Sequence, residues 1–283
     1  MLWGQRDRGQ LALIEIREKI GHSAFYALSM HPLFDLTGRI ALITGSSRGI
    51  GTALARALAS AGARVVLNGR ETTRLELTAT QLRHEGIKVT TAAFDVTDEA
   101  GATAAIATVE QDIGPIDILV NNSGINLRSP LEDLPTETWE RVIGTNLTGA
   151  FKVGRAVARH MIPRKRGKII NVCSVNSELA RYSIAPYVTS KGGLKNLTKG
   201  MAVDWARYNI QVNGLGPGYY ATDMTAPLMS NPEFDSWLRT RVPAGRWGDV
   251  KELSGSIIFL ASPASDFMTG QMLYVDGGLT AVM

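Results

Sequence analysis

The chain has 283 residues, 45% of them hydrophobic, enough for one well-packed α/β domain. Its 30 Lys and Arg against 26 Asp and Glu leave a net charge of +4 with the basic residues scattered, which argues against a nucleic-acid partner, and no stretch approaches the ~18 unbroken apolar residues of a membrane span. A single cysteine excludes an intramolecular disulfide and a cysteine-based zinc site, and four dispersed histidines lack metal-ligand spacing, so no metal is expected and a reduced, cytoplasmic setting fits.

Residues 1–33 read as an extension. Arg6 and Arg8 precede Leu11–Ile14, but Glu15, Arg17, Glu18 and Lys19 cut the apolar run short of a secretory signal. The expectation is a loosely attached segment with Met30 as the natural start, followed by a domain over 34–283.

From Arg39 onward, short β-branched runs alternate with helical patterns. Candidate strands are Ile40–Thr44, Arg64–Asn68, Lys88–Phe94, Ile116–Asn121, Lys168–Ser174, Gln211–Leu215 and Met272–Val275. In the first helical segment Ile50, Ala53, Leu54, Ala57, Leu58 and Ala61 recur at helical spacing until Gly62 stops it. The β-α-β-α rhythm predicts a single-domain α/β fold: a doubly wound (Rossmann) seven-stranded parallel sheet with helices on both faces. Cys173, in the apolar run from Ile169, reads as a small core residue. Arg164-Lys165-Arg166 reads as a solvated loop.

The first strand runs into Thr44-Gly45-Ser46-Ser47-Arg48-Gly49-Ile50-Gly51, and a helix follows at once. Glycines allow a tight turn and close approach to a pyrophosphate, and the helix start offers free N–H groups and a positive dipole end. Gly45, Ser47, Arg48, Gly49, Ile50 and Gly51 are therefore candidate cofactor contacts. The second strand ends at Asn68-Gly69-Arg70. No acid stands there to accept from a ribose 2′-hydroxyl, while Arg48 and Arg70 suit a 2′-phosphate, so NADP(H) is expected over NAD(H). Asp95 after the third strand is placed to meet the adenine amino group. Asn122 and Gly124 follow the fourth strand at the same sheet edge.

Tyr187 and Lys191 stand four apart, on one face of a helix. A free phenol titrates near pKa ~10, and a neighbouring cation is expected to lower that value, fitting Tyr187 to exchange a proton with a carbonyl or alcohol oxygen. Ser174, at a strand end, can hold that oxygen. The pair alone is weak, because chance spacings of Tyr and Lys are common. Its weight comes from the order of the motifs around it.

That order resembles the short-chain dehydrogenase/reductase family from about residue 36 to 278, through Thr44–Gly51, Asn121–Gly124, Asn146, Ser174, Tyr187–Lys191, Pro217-Gly218 and Asp276-Gly277-Gly278. Ser123 departs from the family's usual Ala. The resemblance implies Asn146, Ser174, Tyr187 and Lys191 as the catalytic set, with Asn146 supporting a relay water and Lys191 also holding the nicotinamide ribose. It adds Val96, Tyr187, Lys191, Pro217, Gly218, Tyr220 and Thr222 to Asn68, Arg70 and the other cofactor contacts, and makes Tyr219–Asp235 a mobile lid. It also implies a homotetramer through Thr136–His160 and Pro186–Tyr208, where Trp205 and other apolar residues look exposed.

Within the family, Phe34–Gly38, Leu67–Arg70 and Ala185–Thr222 are most similar to gluconate 5-dehydrogenases (5-keto-D-gluconate reductases), which use NADP(H). A sugar acid would want a cation and polar groups, and Arg128, Asn176, Glu178 and Arg181 are candidates near the expected mouth. Two alternatives stay open. One is a reductase for another carbonyl, such as a 3-oxoacyl thioester or a different polyol, suggested by Met224, Leu228 and Met229 in the lid. The other is a catalytically silent NADP-binding protein.

Overall fold

The structure is a computed structural model that describes residues 31–282. The expected extension and its Met30 start lie outside the described residues, apart from the turn Pro32–Phe34 that leads into the domain.

Seven strands form one parallel sheet: β1 (Ile40–Ile43), β2 (Arg64–Gly69), β3 (Val89–Ala93), β4 (Ile116–Asn121), β5 (Gly167–Val172), β6 (Ile210–Pro217) and β7 (Met272–Val275). Their order is β3-β2-β1-β4-β5-β6-β7. The chain winds outward from β1 in one direction and then from β4 in the other. The crevice at that reversal, over the carboxyl ends of β1 and β4, is where such sheets bind ligands.

The strands are apolar on both faces because both are covered. Along β1, Ala41 and Ile43 point into one core with Leu54, Leu58 and Ile257, while Ile40 and Leu42 point into the other with Ile106, Val157 and Met161. The first core is closed by α1 (Gly49–Ser60), α2 (Thr72–His84) and α9 (Ser254–Ala261). The second is closed by α3 (Glu99–Asp112), α5 (Gly149–Arg164) and α6 (Ala185–Trp205). Two short helices, α7 (Ala226–Met229) and α8 (Pro232–Arg241), stand over the carboxyl ends of the strands after β6.

Three expectations need correcting. The helix foreseen over Thr136–His160 is not one regular helix. It is α4 (Thr136–Ile143), a π turn over Gly144–Thr148, and α5. Arg164-Lys165-Arg166 is exposed as expected but is the end of a helix rather than a loop: Arg164 closes α5 and donates to Glu110 and to the Ile116 carbonyl, Lys165 takes a left-handed conformation, and Arg166 donates to the buried Asp117. Trp205 is partly buried against the second core, whereas Val203 on α6 and Phe151 on α5 are the exposed apolar residues of those helices. No described helix is long and apolar enough to cross a membrane.

Candidate active site

A cavity of about 290 Å³ opens over the carboxyl ends of β1, β2, β4, β5 and β6. Its floor begins with the turn after β1. Gly45 and Gly49 have φ of +62° and +57°, a region that favours glycine. A β-carbon on Gly51 would stand 2.5 Å from the Gly45 carbonyl oxygen and 2.6 Å from Asn122 Nδ2, so only glycine lets α1 start this close to the strand end. Arg48, the residue before α1, makes no side-chain cap, which leaves the first-turn N–H groups of α1 facing the cavity.

The turn is braced from beneath. Asn68 accepts from Gly45 N and donates to the Ala92 and Phe94 carbonyls. Ser46 Oγ donates to the Ile43 carbonyl and accepts from Asn68 N. Asn122 Nδ2 donates to the Thr44 and Gly45 carbonyls, each at 2.9 Å, and Thr44 Oγ1 accepts from Asn122 N and Ser123 N. Asn68 thus lines the cavity, but its amide serves the protein's own turn.

Every expected cofactor residue lines this cavity: Gly45, Ser47 to Gly51, Asn68, Arg70, Asp95, Val96, Asn122, Gly124, Tyr187, Lys191, Pro217, Gly218, Tyr220 and Thr222. Arg70 faces Asp95 at 3.7 Å. That pair is long and Arg70 is exposed, so its guanidinium, with Arg48 from the neighbouring turn, fits an added phosphate. Tyr220 contributes ring rather than hydroxyl, since its OH donates to the Val275 carbonyl.

Ser174, Tyr187 and Lys191 line the opposite wall. Ser174 follows β5 and accepts from Asn176 N at 3.1 Å. Tyr187 and Lys191 face the cavity from the first two turns of α6, with the Lys191 ammonium 5.7 Å from the Tyr187 ring centre. Lys191 Nζ donates to the Val172 carbonyl at 2.6 Å. Asn146 sits in the π turn, fully buried behind the wall. It accepts from Ile125 N, and its Nδ2 donates to the Ile125 carbonyl and to Ser190 Oγ at 3.0 Å. Ser190 Oγ donates to the Tyr187 carbonyl, so Asn146 is tied to the backbone that carries the phenol. A β-carbon on Gly124 would meet Asn146 Oδ1 at 3.5 Å and Lys191 Nζ at 3.6 Å, which places both groups close to that glycine. A π turn inside a longer helix re-aims one side chain, here Asn146.

The electrostatics differ from expectation. Tyr187 is not lowered: burial pushes its phenol up to about 12, and hydrogen bonding with Ser174 opposes this only in part. Burial also draws Lys191 down to about 8. The same desolvation that disfavours phenolate disfavours ammonium, and Lys191 is engaged with a carbonyl rather than with the phenol. Cys173, beside Ser174, is buried with its thiol pushed up to about 11, consistent with a core residue that also touches the cavity. No group of three or more His, Cys, Asp or Glu among the described residues could hold a metal ion.

None of the four substrate candidates lines the cavity. Glu178 is taken by Lys195 and by the Tyr274 hydroxyl, which remove it from the mouth. Asn176 donates to the Leu179 carbonyl. Arg128 reaches toward Ser183, and Arg181 stacks on Phe234 of α8 at 4.5 Å. Sequence reasoning missed Ile125, Thr145, Asp223 and Thr225 as wall residues. Ile125 adjoins Gly124, Thr145 adjoins Asn146 and Asp223 adjoins Thr222, which was the available signal.

Known proteins repeat this arrangement. The family model described as short chain dehydrogenase matches residues 39–233. A gluconate 5-dehydrogenase from Gluconobacter oxydans is 56% identical over 251 residues, 88% of this chain and 98% of that enzyme. A 5-keto-D-gluconate 5-reductase from Escherichia coli is 50% identical over 250 residues, again 88% of this chain and 98% of the relative. The crystal structure of a gluconate 5-dehydrogenase from Burkholderia cenocepacia in complex with NADP and tartrate superposes with a TM-score of 0.87 at 54% identity, covering 89% of this chain and 99% of that one. With the sheet order, the glycine turn and the Ser-Tyr-Lys wall already in place, the match closes the argument: this chain belongs to the short-chain dehydrogenase family.

Proposed function

We propose that the chain is an NADP(H)-dependent oxidoreductase that interconverts a secondary alcohol and a ketone, with D-gluconate and 5-keto-D-gluconate as the pair. The observation that carries this reading is one cavity holding both an arginine-flanked phosphate turn and the Ser174, Tyr187 and Lys191 wall. The gluconate relatives at half or more identity support the substrate, and the NADP held by a close structural neighbour supports the cofactor.

When bound, NADPH supplies the hydride that adds to the carbonyl carbon. The residues of this chain manage the oxygen. Ser174 donates a hydrogen bond to it. Tyr187 gives it the phenolic proton as negative charge develops. Lys191 stabilises the phenolate left behind and contacts the nicotinamide ribose. Asn146 is a positioning residue that holds Ile125 on one side and, through Ser190, the Tyr187 backbone on the other. One lone pair of its Oδ1 remains for a relay water. At the other end, the Gly45–Gly51 turn holds the pyrophosphate, Arg48 and Arg70 the 2′-phosphate, and Asp95 the adenine amino group. The segment from Tyr219 to Asp235 closes over the substrate.

The raised phenol sets a direction. A neutral Tyr187 at physiological pH is ready to donate, so ketone reduction proceeds near neutrality. Alcohol oxidation needs the phenolate and climbs as pH rises toward about 12.

We also infer a homotetramer built on α4 to α6, supported by Phe151 and Val203 exposed on those helices, which sedimentation checks. A cytoplasmic setting is inferred from the lone, buried Cys173 and checked by fractionation. Residues 34–283 are inferred to be the working unit, because among the described residues burial begins at Leu36 and the relatives match 88% of the chain; N-terminal mass analysis of protein from the native source tests the Met30 start.

The reading is tested by NADPH oxidation with 5-keto-D-gluconate against an acetoacetyl thioester. Turnover of the keto acid at a much higher kcat/KM supports it. Preference for the thioester favours the reading suggested by Met224, Leu228 and Met229, and turnover of neither despite tight NADPH binding favours a silent binding protein.

A further inference from the structure

The cavity lacks a cation for the far end of a sugar acid. Its charged wall residues are Arg48, Arg70, Asp95, Lys191 and Asp223. The first three gather where β1, β2 and β3 end. Lys191 is committed to the Val172 carbonyl. A carboxylate entering beside Ser174 therefore has to find its counter-charge beyond the lining.

Three loops meet there, from the ends of the neighbouring strands β4, β5 and β6. The β4 loop carries Asn126 and Arg128, the β5 loop carries Arg181, and the segment after β6 carries Tyr219 and Phe234. The first two loops are pinned together by Ser129 N donating to the Ser183 carbonyl, and by Arg128 Nε at 3.4 Å from Ser183 Oγ. The second and third are joined by the Arg181 guanidinium over the Phe234 ring, which in turn packs edge-on against Tyr219 at 5.7 Å.

Two polar atoms of this rim are buried without a partner among the described residues: Arg181 Nε and Asn126 Oδ1. One is a charged donor and the other an acceptor. Such atoms are costly to bury, and most in folded proteins are satisfied. Arg181 Nε has no hydrogen-bond partner among the described residues, and the nearby Arg128 charge adds to the positive field. Ser183, between the two arginines, has φ of +66°, an unusual conformation for a residue that is not glycine. Strain and unmet hydrogen bonding thus coincide on one side of the site, while the turn under the phosphates shows neither at its own polar side chains.

We propose that Arg181 and Asn126 form the recognition end of the substrate site, in which the Arg181 guanidinium holds the carboxylate of a polyhydroxy acid and the Asn126 amide oxygen accepts from one of its hydroxyls. This rests on the oxidoreductase reading above and adds the residues that set its substrate class. Phe234 of the segment after β6 stacks on Arg181 at 4.5 Å and steadies the fork that a carboxylate accepts. Both are specificity residues. Neither touches the reacting carbon or the transferred proton.

The test uses full-length protein saturated with NADP+, which cannot reduce 5-keto-D-gluconate, so the Kd of that keto acid can be read calorimetrically without turnover. Removing one partner of a desolvated charge pair predicts about a thirtyfold or greater loss of keto-acid affinity for Arg181→Met. Loss of a neutral hydrogen bond predicts about a fivefold loss for Asn126→Ala. Both variants should keep the NADP+ affinity of the wild type. If Arg181→Met does not bind NADP+, Arg181→Gln is judged by the same limits. Keto-acid affinity within about twofold of wild type in a variant that binds NADP+ overturns the role of Arg181 and leaves the substrate assignment standing. Failure of the wild type to bind the keto acid at all refutes that assignment and this inference together.

Discussion

The turn after β1 and the segment after β6 border the same cavity but are held by different forces. Beneath the turn, Asn68, Ser46, Thr44 and Asn122 make buried hydrogen bonds to backbone groups, and Gly51 leaves no room for a single added carbon. The segment after β6 is held mainly by rings, with local hydrogen bonds from Thr225 Oγ1 to the Tyr220 and Thr222 carbonyls and from Trp247 Nε1 to Asp235. Tyr219, Phe234, Trp237 and Trp247 pack on one another at 5.1–6.3 Å, and Met224, Met229 and Trp237 stay exposed. Buried hydrogen bonds fix one geometry, because each broken bond leaves an unpaired group. Apolar contacts are non-directional and can re-form in a shifted arrangement. The cofactor side is therefore built for one shape, and the substrate side is free to move and to vary.

The contrast predicts that the largest loss of cofactor affinity follows a single added side chain on the rigid side. Gly51→Val should weaken NADPH binding about a hundredfold, since overpacking of about 3 kcal/mol falls directly on the turn. Fluorescence titration of NADPH measures it, and a near-native Kd would show that the turn can yield. The next effect is on cofactor choice. Replacing Arg48 and Arg70 together with Ala should cut the kcat/KM preference for NADPH over NADH by at least about tenfold, because charge-assisted hydrogen bonds to a phosphate are each worth about 1.5–3 kcal/mol. An unchanged ratio would place the 2′-phosphate elsewhere.

A stability effect is smaller. Lys191 titrates near 8 when folded and near ~10.4 when unfolded, so the folded state disfavours its charge. The stability linked to neutral Lys191 is present above the unfolded value and lost as pH falls through about 8. The Tm of the wild type relative to Lys191→Met should therefore rise between about pH 7.5 and pH 10. A flat difference would mean that the ammonium is solvated. The smallest effect belongs to the mobile side. Asp235 is a half-buried carboxylate held low by bonds from Arg239 and Trp247 Nε1. Asp235→Asn should leave the NADPH Kd within about twofold while shifting substrate KM, because surface ion pairs contribute little to stability.

The same contrast explains what the sequence disclosed. The sheet was legible because its strands are continuous β-branched runs, such as Val65-Val66-Leu67, buried on both faces. The phosphate turn and the Tyr187–Lys191 spacing were legible because their geometry is local, set within a few residues. Pairings across the fold were not. Nothing near Glu178 in sequence announces Tyr274, 96 residues away, which takes its carboxylate. The π turn that aims Asn146 has no composition of its own, and the upward shift of Tyr187 arises from burial that spacing does not report. Asn126 carries no motif, and only its unpartnered oxygen singles it out.

The central claim is that Tyr187 delivers the proton to a substrate held beside a cofactor it does not help to bind tightly. Tyr187→Phe tests this most directly, with kcat for NADPH-dependent reduction of 5-keto-D-gluconate and the NADPH Kd measured on the same preparation. Removing only the hydroxyl should lower kcat by about a hundred- to ten-thousand-fold while the NADPH Kd stays within about threefold of wild type. A variant that retains near-full kcat would contradict the assignment of Tyr187 as the proton donor.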